Sequence, residues 1–230
     1  MSASDPTPAV ALESTLGGGD LTRLAHWWFE RRPSSQRVVS WLTGTIDPMS
    51  VVDQVDKAID SGVSLIAIAA SGDEIPARSL IAIKAGIGAA EATAHRLHLS
   101  DLQWMRTVAQ IRDQRAKNEP DLHLTALSAV FSRCSERKTP VLFDGVIAHA
   151  AAVQAFAASD QEHPANYWWL PASTSTDPAI TTATRHLDLT AALNLLGDGT
   201  GDLAVRAVLA VLDVLDDGEV LDQSAVDALP

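Results

Sequence analysis

The sequence has a single cysteine, Cys134, in 230 residues. One thiol excludes an internal disulfide framework and any cysteine-rich zinc site, and on a helical stretch it reads as a small semi-buried residue. Basic charge is also scarce: 17 Lys and Arg stand against 29 Asp and Glu, a formal net charge of -12. Such a surface repels phosphate backbones, so nucleic acid is not an expected partner. No apolar run approaches the roughly 20 residues that span a bilayer, and "MSASDPTPAVALEST" lacks the basic start and apolar core of a signal peptide. The expectation is a cytoplasmic protein with no membrane attachment. Fixed-period repeats, low-complexity tracts and an interdomain linker are missing as well.

What remains is a chain with 47% apolar and 20% charged residues, enough to bury a sizeable core as one globular unit. Residues 1–19 mix Ser, Pro, Asp and Thr and close on "GGG", which predicts a flexible N-terminal arm, and residues 20–230 read as a single domain. From Asp20, a plausible N-cap, Leu21, Leu24, Trp27 and Trp28 follow helical spacing and predict a small helical subdomain. Its "LAHWWFERR" stretch carries large aromatics suited to covering a neighbouring subunit.

"RVVSWLTG" is a weak strand candidate, and "DPMSVVDQVDKAIDSG" places Val51, Val52, Val55, Ala58 and Ile59 on one helical face ended by Gly62. "VSLIAIAA" then has the β-branched apolar run of a strand buried on both faces. Helices are predicted over Ser79–His98, Asp101–Lys117 and Leu124–Arg137, followed by the strand "TPVLFDG", the helix "VIAHAAAVQAFAAS" and the strand "NYWWLPAS". Further helices are predicted at "DPAITTATRHL" and after "GDGTG". This alternation predicts an α/β fold, three-layer α/β/α with a mostly parallel sheet.

In such sheets ligands sit beyond the carboxyl ends of the strands, which selects three loops. "SGDEIPARS", with Gly72, Asp73, Glu74, Arg78 and Ser79, is either an anion or sugar site or a solvated loop in which Asp73 or Glu74 favours the next helix dipole. Asp144, followed by Gly145 in "PVLFDG", either binds a ligand or caps the helix starting near Val146. "ASTSTDP" contributes Ser173 and Ser175. Outside this set, "GDGTG" (Gly197, Asp198, Gly199, Thr200, Gly201) resembles a glycine-rich anion loop, although a plain turn and helix cap accounts for the same residues and the P-loop lysine is missing.

His95 and His98 share a helix face at i and i+3. Without a carboxylate or third histidine at ligand spacing they read as solvated, and no metal is expected. Adjacent tryptophans at Trp168 and Trp169 point to opposite faces of a strand, one into the core and its neighbour toward a helix or partner.

Taken in order, these segments resemble the nicotinate-nucleotide:dimethylbenzimidazole phosphoribosyltransferases, the CobT family. "RKTPVLFDGVIAHAAAVQAF" is similar to the family's Pro-Val-Leu-Leu-Asp-Gly-Phe-Ile pattern before an Ala-rich helix. "YWWLPASTSTDPAITTATRHLDLTAALNLLGDGTGDLAV" is similar to the stretch ending in Leu-Gly-Glu-Gly-Thr-Gly. "LQWMRTVAQIRD" and "GGGDLTRLAHW" resemble two further family segments, so that the likeness runs with gaps from Gly17 to Leu215.

There are departures. The family's catalytic Glu falls at Asp198. Its phosphate loop aligns with Gly72–Ser79, shortened, its helix lysine falls at Thr107, and its His-Arg-Ser falls at Ser173, Thr174 and Ser175. The chain is shorter than the family pattern, with no counterpart of the Asp-His-Gly-Val segment.

The resemblance implies transfer of ribose 5-phosphate from nicotinate mononucleotide to a benzimidazole-type base, with no cofactor and Asp198 as the proton acceptor. It implies substrate contacts at Gly72, Asp73, Glu74, Arg78, Ser79, Asp144, Gly145, Ser173, Ser175, Gly197, Gly199, Thr200 and Gly201. Asp is one methylene shorter than Glu, so reduced activity is expected. The alternative is a non-catalytic relative that binds a small nucleotide or base or serves as a partner subunit. The partner expected is a second copy in a homodimer, or a full-length homologue.

Overall fold

Parallel strands need crossover connections, and the helices between the strands supply them. The computed structural model describes residues 39–44, 47–93, 99–117, 119–159, 165–197 and 202–216, with Arg23, Leu24 and Trp27. The expected arm and most of the "LAHWWFERR" helix lie outside these residues, as do His95 and His98. The elements are β1 (Val39–Gly44), α1 (Val51–Asp60), β2 (Leu65–Ala70), α2 (Glu74–Lys84), α3 (Asp101–Lys117), α4 (Leu122–Glu136) and β3 (Val141–Phe143). They continue with α5 (Val146–Ala158), a 3-10 turn (Ala165–Trp168), β4 (Trp169–Pro171), β5 (Ser173–Ser175), α6 (Pro178–His186), β6 (Leu193–Gly197) and α7 (Asp202–Asp216).

Among the described residues, every strand pairing is parallel. The order is β1-β2-β3-β4 in one sheet and β5-β6 in a second. β5 follows β4 across Ala172, whose N–H donates to Phe143 O at 2.8 Å and whose carbonyl accepts from Leu193 N at 3.1 Å. The predicted α/β architecture with a parallel sheet is the one observed.

Strand alternation divides the interior into two cores. Ile66, Ile68, Val141, Phe143 and Trp169 face one side, where α1, α2, α4, α5 and α6 pack. Leu65, Ala67, Leu142 and Leu170 face the other, covered by Val205, Val208 and Leu212 of α7 and by Leu24 and Trp27. These two residues of the N-terminal segment are therefore buried within their own chain, not presented to a neighbour. Trp27 also stacks on Trp168, ring centroids 5.5 Å apart.

α5 has no amphipathic stripe because it is enclosed: Val146 through Val153 and Ala155 are all buried. A helix apolar all round belongs in the interior, and its alanines let neighbouring helices approach closely. The tryptophan pair is expected on one strand, but only Trp169 lies on β4, and Trp168 belongs to the 3-10 turn before it. Trp169 is fully buried and its indole N–H donates to Ser135 Oγ at 2.9 Å, while Trp168 closes the 3-10 turn just before the strand.

Most helices fall within about two residues of their expected bounds, and one departs further. Where the spacing predicts Ser79–His98, α2 starts at Glu74 and stops at Lys84. Asp73 caps it early, and Gly86, at φ +69°, turns the chain away after it. Cys134 on α4 is completely buried, and burial pushes its thiol up to about 12. Among the described residues, no helix is long and apolar enough to cross a membrane.

Candidate functional site

Three helices begin where parallel strands end, and each start carries an aspartate. Asp73, in extended conformation after β2, accepts the Ile75 N–H on Oδ1 at 3.0 Å and caps α2. Asp177 does the same for α6, accepting from Ala179 N at 2.9 Å, with Pro178 in the first turn where no donor is missed. At α5 the cap position belongs to Gly145, whose φ of 88° and ψ of 157° suit only glycine.

Asp144 therefore stands one residue before the cap. Its Oδ1 accepts the Gly145 N–H at 2.7 Å, and its Oδ2 accepts the Ser173 hydroxyl at 2.8 Å. At 1% exposure, this carboxylate ties the end of β3 to the start of β5.

His149 lies one turn further along α5 and is fully buried. Its Nδ1 sits 2.8 Å from Gly145 O, so that nitrogen carries the proton and Nε2 presents a lone pair with no protein partner. Burial holds its pKa below the usual imidazole value, against the weaker upward pull of Asp144, the Gly145 carbonyl and Asp177.

Arg78 joins two of the helix starts. From the second turn of α2, its Nε and Nη2 donate to Glu74 Oε2 at 3.1 and 2.7 Å, and Nη1 and Nη2 grip Asp177 Oδ1 and Oδ2 at 3.1 and 2.7 Å. Nη1 also donates to Ala92 O at 3.0 Å. A guanidinium has five N–H bonds, and all are engaged within the chain.

The structure thus brings Asp144, Gly145 and Ser173 into contact and ties Arg78, and Glu74 through it, to the start of α6, while Asp73 caps α2. Ser175 is the register partner of Gly197, and its hydroxyl accepts the Asp177 N–H at 3.0 Å. Gly72 lies against Ile147 and His123. Ser79 turns elsewhere, to a cavity of about 240 Å³ among α2, α3, α4 and α5 shared with Lys84, Gln114 and Gln154. Thr107, at the lysine position of the resemblance, bonds back to Gln103 O on α3. Asp198, Gly199, Thr200 and Gly201 lie outside the described residues.

Two members of this cluster escape the sequence reading, Asp177 and His149. Asp-Pro at a helix start is a capping signal, and it does mark Asp177 as a cap. Its bidentate pairing with Arg78, 99 residues away, has no local signal. His149 sits within an apolar helix, where one imidazole in an Ala-rich run reads as packing.

A family model described as phosphoribosyltransferase matches residues 49–226. The chain belongs to that phosphoribosyltransferase family. Its relatives include nicotinate-nucleotide–dimethylbenzimidazole phosphoribosyltransferases of Streptomyces avermitilis, 31% identical over 64% of this chain and 44% of the relative, and Streptomyces coelicolor, 30% identical over 72% and 53%. The enzyme of the same name from Mycobacterium avium is 32% identical over 68% of this chain and 50% of its own. This phosphoribosyltransferase chain spans about half the length of the curated relatives it matches. Its fold is that of CobT from Thermus thermophilus, with a TM-score of 0.59 at 19% identity over 73% of this chain and 55% of the other.

Proposed function

We propose that this phosphoribosyltransferase-family chain moves ribose 5-phosphate from nicotinate mononucleotide to a nitrogen of a benzimidazole-type base, more slowly than its longer relatives. The observation carrying this reading is the meeting of Asp144 and Gly145, at the carboxyl end of β3, with Ser173, while Ser175, at the carboxyl end of β5, stands opposite Gly197 of β6. Open parallel sheets bind ligands at that edge. Gly197 is followed in the sequence by Asp198, to which we assign the proton of the incoming base, and we assign Gly199, Thr200 and Gly201 to substrate binding.

Displacement at C1' needs an anchored donor, a placed acceptor nitrogen and a base for its proton. Asp reaches one methylene less far than Glu, and a misplacement of about 1 Å costs about 100-fold in rate. Remote binding of the phosphate ordinarily helps place the reacting carbon. With Arg78 held by Glu74 and Asp177, that contribution is reduced, a second reason for slow turnover.

The test is chromatographic detection of the ribosylated product from nicotinate mononucleotide and dimethylbenzimidazole. The expected result is slow formation by the wild type and none by Asp198→Asn, with an unchanged unfolding midpoint. Equal product from both proteins would remove Asp198 from the chemistry. The engagement of every Arg78 N–H within the chain favours one further reading, a partner subunit that binds base or nucleotide without turnover, in a homodimer or beside a full-length homologue. Ligand binding with no product from the wild type would select it.

A further inference from the structure

We infer that a second ligand site lies away from the strand ends, in the cavity among α2, α3, α4 and α5, and that it takes a small zwitterion, an ammonium and a carboxylate joined by a short aliphatic chain. The cavity measures about 240 Å³. At about 30 Å³ per water it has room for about eight, which sets the ligand at that order of non-hydrogen atoms. Its walls divide by chemistry. Pro76, Leu80 and Ile83 of α2 and Leu124 of α4 supply an apolar lining, and Ile83 is left 44% exposed by the fold. Ser79, only 3% exposed, places a buried hydroxyl in the wall. Gln114 of α3 and Gln154 of α5 add two half-buried amides, each able to donate and to accept. Among the described residues, these three side chains form no hydrogen bond within the chain.

Charges of both signs border the same space. Lys84 ends α2, and Glu119 and Asp121 stand on the connection from α3 to α4. Lys84 and Glu119 form no ion pair among the described residues, and Asp121 commits Oδ1 to the Leu124 N–H at 2.9 Å. The two signs enter from different ends of α2. His123, two residues after Asp121, lies against Gly72 just ahead of that helix. Lys84 is its last residue, about 15 Å along the axis from Glu74 at about 1.5 Å per residue.

A simple anion drawn to Lys84 meets two carboxylates and the field of a chain with net charge -12. A simple cation drawn to the carboxylates meets the ammonium. A ligand carrying both charges, spaced by methylenes, satisfies each end and lays its chain on the apolar wall. The hydroxyl of Ser79 and the two amides can hydrogen-bond either charged group.

The experiment is isothermal titration calorimetry of the full chain with 6-aminohexanoate and three controls. Hexanoate and hexylamine keep the chain and drop one charge each, and norleucine keeps the same atoms but puts both charges on one carbon. The expected result is that 6-aminohexanoate binds at least about tenfold more tightly than each control, and more weakly as salt is added. Lys84→Met should remove at least about tenfold of that affinity while leaving or raising that of hexylamine. Glu119→Gln should weaken 6-aminohexanoate while leaving or raising hexanoate. Both side chains are exposed, so each variant should keep the wild-type unfolding midpoint. A control that binds as tightly as 6-aminohexanoate, an affinity unchanged in both variants, or no binding at about 10 mM ligand would overturn the inference.

Discussion

Arg78 replaced by alanine leaves Asp177 inside the protein without its countercharge. Removing one partner of a buried pair costs about 3–5 kcal/mol, and Arg78 is only 5% exposed, so Arg78→Ala should lose stability of that order in urea unfolding. Arg78→Lys keeps the charge but not the planar fork that bonds both oxygens of Asp177, and it should fall between the wild type and the alanine variant. A loss below about 1 kcal/mol for the alanine variant, as exposed pairs give, would show the clamp to be surface decoration.

His149 supplies a pH test with a definite sign. Its folded pKa lies below the ordinary value of 6.5 because burial penalises the imidazolium. The unfolded state therefore binds the proton more readily, and the contribution is fully present above about pH 6.5 and declines as the pH falls below it. The urea midpoint should drop between about pH 7.5 and about pH 5.5, and His149→Phe should flatten that slope. An identical slope in the variant would assign the titration to other groups. The sequence reading places Glu74 and Arg78 in a loop ahead of a helix starting at Ser79, so their i and i+4 pairing was not foreseen, and Asp177 arrives from a distant segment that only folding brings to Arg78.

Among the elements, α5 is the one with least room. Ala148, Ala151, Ala152 and Ala155 are buried against α2, α4 and α6, so Ala151→Leu forces extra methylenes into a packed interior and should cost about 1–3 kcal/mol. A neutral result in thermal unfolding would mean that α5 is less tightly enclosed than its burial implies. The buried strands β2 and β3 were legible from sequence because burial on both faces leaves an uninterrupted β-branched run between turn signals. The division of "YWWLPAS" into a 3-10 turn, β4 and β5 was not, since it depends on Ala172 pairing with both Phe143 and Leu193. The start of α2 also shifted, because Asp73 won the capping position and drew Glu74 and Arg78 from the loop into the helix. Of the proposed site, the strand-end rule found Asp144 and Ser173, while their mutual hydrogen bond emerged only from the sheet order.

At the scale of the whole molecule, Leu24 and Trp27 pack inside the chain, so these two side chains do not serve the proposed homodimer. Light scattering at micromolar concentration should give twice the 24.4 kDa chain mass, and a monomer would reject that assembly. The proposed function makes one central claim, that ribosyl transfer is performed with Asp198 as an acid one methylene too short. Initial-rate assay of Asp198→Glu against the wild type, with the same donor and dimethylbenzimidazole, tests it most directly. The account predicts a gain toward the roughly 100-fold lost to misplacement, at an unchanged unfolding midpoint. An Asp198→Glu variant no faster than wild type, with the wild type itself active, would contradict it.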